Sequence, residues 1–383
     1  MSKNFKDISK EALALHKKYG GKFSVQSKLP VRGPEDLKLV YTPGVGAVSS
    51  YVAKHKNKAR EYTMKGNSVA IISDGSAVLG LGNIGALGAL PVMEGKAVLF
   101  KKFAGIDAVP IVLDTQDPEE IVKIVKAVSP AFGGINLEDI SAPRCFEIED
   151  RLKRELKIPV MHDDQHGTAI ILLAGLINAL KVARKKIGRV KIAISGAGAA
   201  GTATAKILNL AGTKNILVSD SKGILGPSRK DLTPEKRELA RLTNPKNKKG
   251  TLADAMIGAD VFIGLSAPGI VSETMAKKMA QKAIVFTLAN PIPEIMPDAA
   301  KRAGAFIVAT GRSDFPNQLN NSQAFPGVFR GALDNGVRQI TDKMKIRAAY
   351  AIAGMIKKPT SNKIAPDMFD KNLVKIVANS IRE

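Results

Sequence analysis

The chain contains one cysteine, no tryptophan and only 5% aromatic residues among its 383 residues. A single thiol, Cys145, cannot form an intramolecular disulfide or a cysteine-based zinc site, so disulfide scaffolds and zinc ribbons are excluded. The first ten residues lack an apolar signal-peptide core, and the longest apolar stretch, residues 168–180, is shorter than the roughly 18 residues of a membrane span. We therefore expect a cytoplasmic protein with no membrane partner.

Acidic residues are also scarce, since 35 Asp and Glu stand against 58 Lys and Arg and give a net charge of +23. Nucleic-acid binding would require these cations on one face, together with aromatic residues for base stacking. The basic runs at 181–191 and 246–249 instead alternate with apolar positions, as solvated helix faces do. We expect no nucleic-acid partner, and a surface field that attracts small anions such as carboxylates and phosphates.

Apolar residues make up 45% of the chain, which is enough to bury a full core. Short apolar strands alternate with helical segments, a pattern that predicts a layered α/β architecture. We expect two domains, one over residues 1–161 with polar residues at its strand ends and one over residues 162–383. The last 40 or so residues are predicted to be helical, and packing of residues 346–383 against the N-terminal domain is one alternative for them.

A glycine-rich turn in the second domain predicts a dinucleotide site. The segment Gly196-Ala197-Gly198-Ala199-Ala200-Gly201 follows a predicted strand at 190–195 and opens a predicted helix, and Asp220 ends the next strand. Such a turn lets a pyrophosphate lie on the helix N-terminus, and the acidic residue accepts hydrogen bonds from the ribose. The segment therefore favours a doubly wound, Rossmann-type domain, although a merely tight strand-to-helix turn is the alternative.

Carboxylates gather at the strand ends of the first domain: Glu138 and Asp139, then Asp163 and Asp164. Oxygen ligands of this kind suit Mg²⁺ or Mn²⁺. Adjacent residues of a regular strand point to opposite faces, so Glu138 and Asp139 can share one ion only if the chain turns there. Carboxylates that cap helices are the alternative.

A zinc site is a rival for the same segment, because His162 and His166 lie four residues apart. That pairing needs both histidines on one helix face, yet a helix beginning near Gly167 would leave them in a turn. The glutamate of the zincin pattern is also absent.

Two further residues are candidates for proton transfer. Lys96 is flanked by apolar residues, and desolvation lowers the pKa of such a lysine toward that of a base; most such lysines merely reach out to solvent. Tyr41 lies on a Pro-Gly turn where a phenol serves as a positioned acid, with packing as the alternative.

Long motifs in this order resemble those of the small, bacterial-type malic enzymes. They are YTPGVG (41–46), SDGSAVLGLGNIGALGALPVMEGKAVLFKKFAGIDAVPI (73–111), FGGINLEDI (132–140), HDDQHGTA (162–169), SGAGAAG (195–201), SDSKGI (219–224), LANP (288–291) and NNSQAFPGVFRGAL (320–333). The resemblance implies an N-terminal substrate and metal domain followed by the NAD(P)-binding domain. It also implies oxidation of L-malate, decarboxylation to pyruvate with Mg²⁺ or Mn²⁺, and a homodimer.

The resemblance assigns roles residue by residue. It implies Lys96 as general base, Tyr41 as general acid and Asp163 as the carboxylate beside the lysine. The implied metal ligands are Glu138, Asp139 and Asp164. The implied substrate-binding asparagines are Asn290 and Asn321, and Asn290 also lies near the cofactor.

This chain departs from the larger animal-type enzymes, which carry an arginine two residues after the matching Asp-Gly. Ser76-Ala77 follows Asp74-Gly75 here, so Ser76, the glycine-rich backbone or the asparagines must bind the substrate carboxylates.

The choice between NAD and NADP depends on opposing charges near the end of the second strand. Asp220 favours NAD because a carboxylate there repels the 2′-phosphate of NADP. Lys222, Arg229 and Lys230 are near in sequence and could pair with that phosphate, so we expect NAD to be preferred by a modest factor with NADP still used. A metal-independent amino-acid dehydrogenase and an inactive nucleotide-binding regulator are the alternative functions.

Overall fold

The structure, a computed structural model, describes residues 5–78 and 80–383. Its N-terminal part is helical, with α1 (Phe5–Tyr19), α2 (Pro34–Val40), α3 (Gly44–Lys54) and α4 (Ala59–Tyr62). Short 3₁₀ turns occur at Lys56–Lys58, Met64–Gly66, Ser129–Ala131 and Asn321–Gln323. None of the residues from 8 to 67 is buried, so this part of the chain covers the protein without entering its core.

The first sheet is parallel and has the strand order β2-β1-β3-β4. Its strands are β1 (Ser68–Ser73), β2 (Asp107–Val112), β3 (Gly134–Leu137) and β4 (Val160–His162). The connecting helices are α5 (Gly85–Ala104), α6 (Pro118–Val128) and α7 (Arg144–Glu155). Strands β1 and β3 are buried along their whole length, as expected for a parallel sheet covered on both faces.

The second sheet has the order β10-β9-β8-β5-β6-β7, and only β7 runs antiparallel to its neighbour. The order reverses between β5 and β8, which is where doubly wound sheets bind ligands. Its elements are α8 (Asp163–Ala183), β5 (Lys191–Ser195), α9 (Ala199–Leu210), β6 (Asn215–Asp220), β7 (Gly223–Ile224), α10 (Pro234–Thr243), α11 (Leu252–Met256), β8 (Val261–Gly264), α12 (Glu273–Lys277), β9 (Ile284–Thr287), α13 (Pro297–Arg302) and β10 (Ile307–Thr310).

Helix α8 joins the two sheets and 16 of its 21 residues are buried. One hydrophobic cluster contains α8 together with side chains of β1, β5 and β8, so the two halves share a core. By length and hydropathy α8 could cross a membrane, but here it is a core helix, mostly buried inside the protein. The helix extends beyond the apolar stretch 168–180 because it begins earlier, with a polar first turn at Asp163.

The expected α/β fold class with a Rossmann-type second domain is confirmed, whereas several element boundaries differ from the prediction. Helix α5 begins at Gly85 and includes Pro91 in its second turn. The C-terminal part is not continuously helical, and its helices are α14 (Phe325–Asp334), α15 (Asp342–Gly354) and α16 (Leu373–Ser380). Residues 335–341 separate α14 from α15, and the irregular residues 355–372, which contain two prolines, separate α15 from α16. The domain boundary at 161/162 stays a prediction.

The C-terminal helices pack on both halves of the molecule. Helix α15 lies against α8, and α16 lies against α14. The ring centroid of Phe369 is 5.3 Å from that of Phe103 on α5, which belongs to the first sheet's layer. Helices α14 and α5 also meet, through Phe325 and Phe100.

Candidate active site and nucleotide cavity

Three carboxylates meet at the carboxyl ends of β3 and β4. Glu138 and Asp139 follow β3, Asp164 lies in the first turn of α8, and their ligand oxygens all lie within 4.8 Å of one another. Asp139 has φ = 53°, a left-handed conformation rare for a non-glycine residue. This turn satisfies the condition under which the two adjacent carboxylates can face one ion.

The charges of this cluster are not balanced by its surroundings. Burial raises the pKa of Asp139 to about 9, and repulsion from Asp164 and Glu138 adds to the effect. Burial is also the main cause that raises the pKa of both Glu138 and Asp164. Oδ2 of Asp139 is buried without a hydrogen-bond partner. Two buried carboxylates and the half-buried Asp164, with one unsatisfied oxygen among them, fit a divalent cation such as Mg²⁺ or Mn²⁺.

Lys96 on α5 lies beside this cluster with 6% of its surface exposed. Its Nζ is 2.5 Å from Glu138 Oε1 and 2.5 Å from Asp163 Oδ2, and 4.1 Å from the ring centroid of Phe325. The sequence predicted a pKa lowered by desolvation. Burial does act in that direction, but Asp163 and Glu138 outweigh it and the pKa of Lys96 is raised. The lysine therefore does not reach out to solvent.

Asp163 and Asn321 meet across Gly167. A Cβ at Gly167 would lie 1.8 Å from Asp163 Oδ1 and 3.2 Å from Asn321 Cβ, so the absence of a side chain allows this approach. Burial raises the pKa of Asp163 to about 7 against the opposing effect of Lys96. Asn321, a predicted substrate-binding residue, is thus next to the Lys96–Asp163 pair.

The zinc alternative is not supported by the positions of the two histidines. Helix α8 begins at Asp163, so His162 is its N-cap and His166 is in its first turn. His166 Nε2 lies 2.9 Å from Glu149 Oε2, whereas His162 Nε2 lies 3.7 Å from Asp164 Oδ2. Only the imidazole of His166 has a hydrogen-bond partner here, because both ring nitrogens of His162 are buried without one. Among the described residues, the potential metal-ligating group is Glu138, Asp139 and Asp164, without a histidine.

Tyr41 is not brought to Lys96 within one chain. It lies in the turn between α2 and α3 with 69% of its surface exposed. In the described part of the chain, no hydrogen bond or ring contact joins its side chain to the carboxylates or to Lys96. The expected acid–base pair is therefore not formed within this chain, because the segment that carries Tyr41 lies outside the core.

The remaining predicted substrate residues have different surroundings. Ser76 Oγ donates to Asp74 Oδ1 at 2.6 Å and accepts from Ser141 N at 2.9 Å, so its hydroxyl holds this loop together. Asn290 is exposed after β9, and a Cβ at Gly80 would lie 2.4 Å from its carbonyl oxygen. Asn290 therefore lies against the glycine-rich loop of the first domain.

Sequence reasoning missed an arginine in this region. Arg144, at the start of α7, donates from Nη2 to Asp74 Oδ2 and to Gln116 Oε1, each at 3.3 Å. Its Nε is buried without a partner. Two long hydrogen bonds and one unsatisfied donor leave the guanidinium able to bind an anion. Phe325, which covers Lys96, was also missed although its motif had been noticed.

The glycines of the nucleotide turn have separate structural roles. Gly196 has φ = 106°, and a Cβ there would lie 2.2 Å from Leu265 O. A Cβ at Gly201 would lie 1.9 Å from Gly196 O, so this glycine allows α9 to pack on β5. A Cβ at Gly198 would have no atom within 4 Å, which leaves its backbone open to a ligand. Ala199 and Ala200 begin α9, whose N-terminus faces the same space.

Asp220 at the end of β6 is more heavily paired than the sequence indicated. Arg229 donates to both of its oxygens, at 2.8 and 3.2 Å, and Lys236 Nζ lies 3.0 Å from Oδ2. Burial acts to raise the pKa of Asp220, but these hydrogen bonds outweigh it and lower the pKa. Lys222 pairs with Asp231 instead. Lys236, sixteen residues beyond Asp220, was not anticipated as a member of this group.

The glycine turn and Asp220 both line a cavity of about 760 Å³. It is lined from the second domain by the turn at 195–198, by Asp220 and Lys236, and by Leu265 and Ser266 at the end of β8. Ala142, Pro143 and Phe146 line it from the first domain. The cavity thus lies at the reversal of strand order and next to the loop that carries the carboxylates.

Comparison with known families matches both halves of the chain. Residues 21–122 and 115–153 match the family described as malic enzyme, N-terminal domain, and residues 165–381 match malic enzyme, NAD binding domain.

Individual relatives give the same result. The NAD-dependent malic enzyme of Geobacillus stearothermophilus is 54% identical over 98% of this chain and 79% of its own length. The NADP-dependent malic enzyme of Escherichia coli is 48% identical over 92% of this chain and 47% of its own length. The crystal structure of the NAD-dependent malic enzyme from Thermotoga maritima superposes with a TM-score of 0.94 at 48% identity, covering 97% of this chain and 98% of that one.

Proposed function

This chain belongs to the malic enzyme family, and on that premise we propose that it oxidises L-malate to pyruvate and CO₂ with reduction of NAD or NADP. The observation that carries this proposal is the buried contact of Lys96 with Asp163 and Glu138, beside a three-carboxylate cluster. The loop that follows Glu138 and Asp139 also lines the nucleotide cavity, through Ala142 and Pro143. The two alternatives, a metal-independent amino-acid dehydrogenase and an inactive regulator, are not favoured.

Lys96 is the group we assign to remove the proton of the C2 hydroxyl while hydride leaves for the nicotinamide. Asp163 keeps Nζ at a fixed position by a 2.5 Å contact and helps to hold the transferred proton. Phe325 covers the lysine and excludes water from it. Fixed position and exclusion of water favour proton transfer in a defined direction.

We assign Glu138, Asp139 and Asp164 as the ligands of a Mg²⁺ or Mn²⁺ ion. Such an ion supplies a Lewis acid that polarises the C2 oxygen and stabilises the enolate left by decarboxylation. Asn136 Nδ2 donates to Glu138 Oε2 at 2.9 Å, and Asp164 Oδ2 accepts from the Asp139 backbone N–H at 2.8 Å. These hydrogen bonds orient the ligand set before an ion binds.

For the substrate carboxylates we assign Asn321, with Asn290 at the cofactor side, and we add Arg144. Arg144 takes the place of the arginine that the animal-type sequence pattern would supply, because it is tied to the same Asp74 loop. Ser76 positions that loop through its two hydrogen bonds. We expect Arg144→Gln to raise the KM for malate several-fold with kcat less affected, and an unchanged KM would remove Arg144 from the site.

We further propose a homodimer formed through the N-terminal helices. Of the 31 large hydrophobic residues that are exposed in the described part of the chain, 17 lie between Ile8 and Met64. Leu13, Val25 and Leu39 are each at least 74% exposed. Exposed apolar side chains in this number on one part of a monomer favour burial of that surface against a second copy. Tyr41 lies within this surface, so we assign its acid role to the site across the interface.

Mixing two inactive variants tests the location of Tyr41. Tyr41→Phe and Lys96→Ala subunits are unfolded together and refolded. If Tyr41 acts across the interface, each hybrid dimer contains one complete site, and random pairing restores about a quarter of the wild-type activity. If Tyr41 acts within its own chain, the mixture stays inactive. Refolded Tyr41→Phe alone is the matched control.

The overall activity is tested by absorbance at 340 nm with L-malate, NAD or NADP, and added Mn²⁺. Chelation should abolish turnover, and Mn²⁺ or Mg²⁺ should restore it. Activity on an amino acid without metal would contradict the proposal. We also propose that NAD is preferred by a modest factor with NADP still used, and that the enzyme is cytoplasmic, in keeping with a single buried cysteine.

A further inference from the structure

A second cavity, of about 550 Å³, lies away from the nucleotide site at the end of α7 and the start of α15. Seven of its twelve lining residues are Lys or Arg, whereas Lys and Arg make up 58 of the 383 residues in the chain. The lining residues include a single acidic one, Glu383. The general basicity of the protein therefore does not account for this concentration of positive charge.

The cations come from separate parts of the chain. Arg154 lies in the last turn of α7 and Lys157 follows this helix, whereas Arg338 and Lys343 flank the N-cap of α15. No carboxylate of the described residues forms an ion pair with any of these four side chains. By contrast Arg151, one turn earlier on α7, pairs with Glu119 and Glu147. Like charges gathered without partners are relieved by a bound anion.

One lining residue of this cavity, Lys153, is connected to the candidate active site through Glu149. Lys153 lines the cavity and its Nζ lies 2.7 Å from Glu149 Oε1. Glu149 is buried, and its carboxylate accepts from the backbone N–H of His162 at 2.9 Å, immediately before the α8 turn that carries Asp163 and Asp164. Burial acts to raise the pKa of Glu149, but His166 and Lys153 outweigh it and hold the pKa well below its usual range.

We propose that this basic cavity binds a small polyanion with clustered oxyanion groups, either a polyphosphate group or a polycarboxylate. Its volume accommodates such a molecule, and its apolar lining is limited to Leu156 and Met344. No aromatic side chain lines it to stack on a base. Recognition therefore depends on the charged groups and not on a nucleoside, and it weakens as salt concentration rises.

Calorimetric titration of the whole, metal-free protein with inorganic triphosphate tests the proposal. NADH is present at saturation so that the nucleotide cavity is filled. We expect one site per chain at low ionic strength, weaker binding at higher salt, and similar affinities for triphosphate and ATP, with none for adenosine. Parallel titration with citrate distinguishes the polycarboxylate from the polyphosphate class.

The double variant Arg338→Ala/Lys343→Ala should weaken binding at least tenfold. Both side chains are exposed, so the change leaves the core intact. Lys153 is left in place because it also neutralises Glu149. The control is Lys357→Ala/Lys358→Ala, which removes the same charge from exposed positions after the other end of α15. No saturable binding to the parent, or equal loss in both double variants, would overturn the proposal without affecting the proposed enzymatic activity.

Discussion

Replacing Gly167 by alanine tests whether the position of Asp163 controls the chemistry. A Cβ at Gly167 would lie 1.8 Å from Asp163 Oδ1, whereas ordinary van der Waals contact begins at 3.4 Å. The carboxylate must therefore move by about 1.6 Å. Its other oxygen lies 2.5 Å from Lys96 Nζ, so a displacement of this size breaks the contact.

The expected effect is on catalysis and not on folding. A misplacement of about 1 Å costs on the order of 10²-fold in rate, which corresponds to roughly 2.7 kcal/mol of activation free energy. We therefore expect kcat/KM for malate to fall about 100-fold. Alanine is favoured over glycine in a helix by roughly 0.5–1 kcal/mol, and this gain offsets part of the steric cost, so the melting temperature should change little.

The assay compares malate oxidation with decarboxylation of added oxaloacetate, which has no hydroxyl proton to lose. Oxaloacetate decarboxylation should be affected much less, because the Lys96–Asp163 pair serves the hydroxyl proton. Gly354→Ala, at the end of α15, is the matched control, since its Cβ would meet no atom within 4 Å. Malate turnover within about twofold of the parent would refute the reasoning, because it would mean that the Lys96–Asp163 contact is not required.

Three further predictions concern the metal and the cofactor. Asp164→Asn should lower both malate oxidation and oxaloacetate decarboxylation and weaken Mn²⁺ binding measured by calorimetry; unchanged Mn²⁺ affinity would remove Asp164 from the ligands. Lys236→Ala removes a cation from Asp220 and should lower the ratio of kcat/KM for NADP to kcat/KM for NAD about tenfold, which corresponds to about 1.4 kcal/mol. An unchanged ratio would exclude Lys236 from cofactor selection. Because the folded-state pKa of Asp139 is raised to about 9, its contribution to stability is present at low pH and is lost as the pH rises toward 9. The metal-free protein should therefore melt at a lower temperature at pH 9 than at pH 6. Asp139→Asn should reduce this difference in melting temperature, and an equal difference in both proteins would contradict the raised pKa of Asp139.

The nucleotide turn could be predicted from the sequence because Gly196 and Gly201 are required by the local backbone conformation and packing. Gly196 has a left-handed φ and Gly201 lets α9 approach β5, and both follow from a motif of six residues. The fold class was predictable for the same reason, since apolar strands and helices alternate along the chain. Local patterns of this kind do not depend on distant parts of the sequence.

Contacts between distant segments could not be predicted in the same way. Phe325 covers Lys96 from 229 positions away, and Lys236 reaches Asp220 only because α10 folds back onto β6. The start of α8 was placed too late because its first turn, with Asp163 and Asp164, has no apolar periodicity. Carboxylates in a first turn are favoured by the helix dipole, and that signal indicated an earlier start.

An excess of buried negative charge explains both the raised pKa of Lys96 and the carboxylate oxygens that lack a hydrogen-bond partner. Four carboxylates, those of Glu138, Asp139, Asp163 and Asp164, surround a single lysine. Because a buried net negative charge is costly, burial raises the pKa of the carboxyl groups, and the neighbouring carboxylates raise the pKa of Lys96. A divalent cation at the proposed ligands would compensate for the same negative charge and would weaken the field that raises the pKa of Lys96. Binding of the proposed ion would therefore release protons from the site and would lower the pKa of Lys96, in the direction that a general base requires.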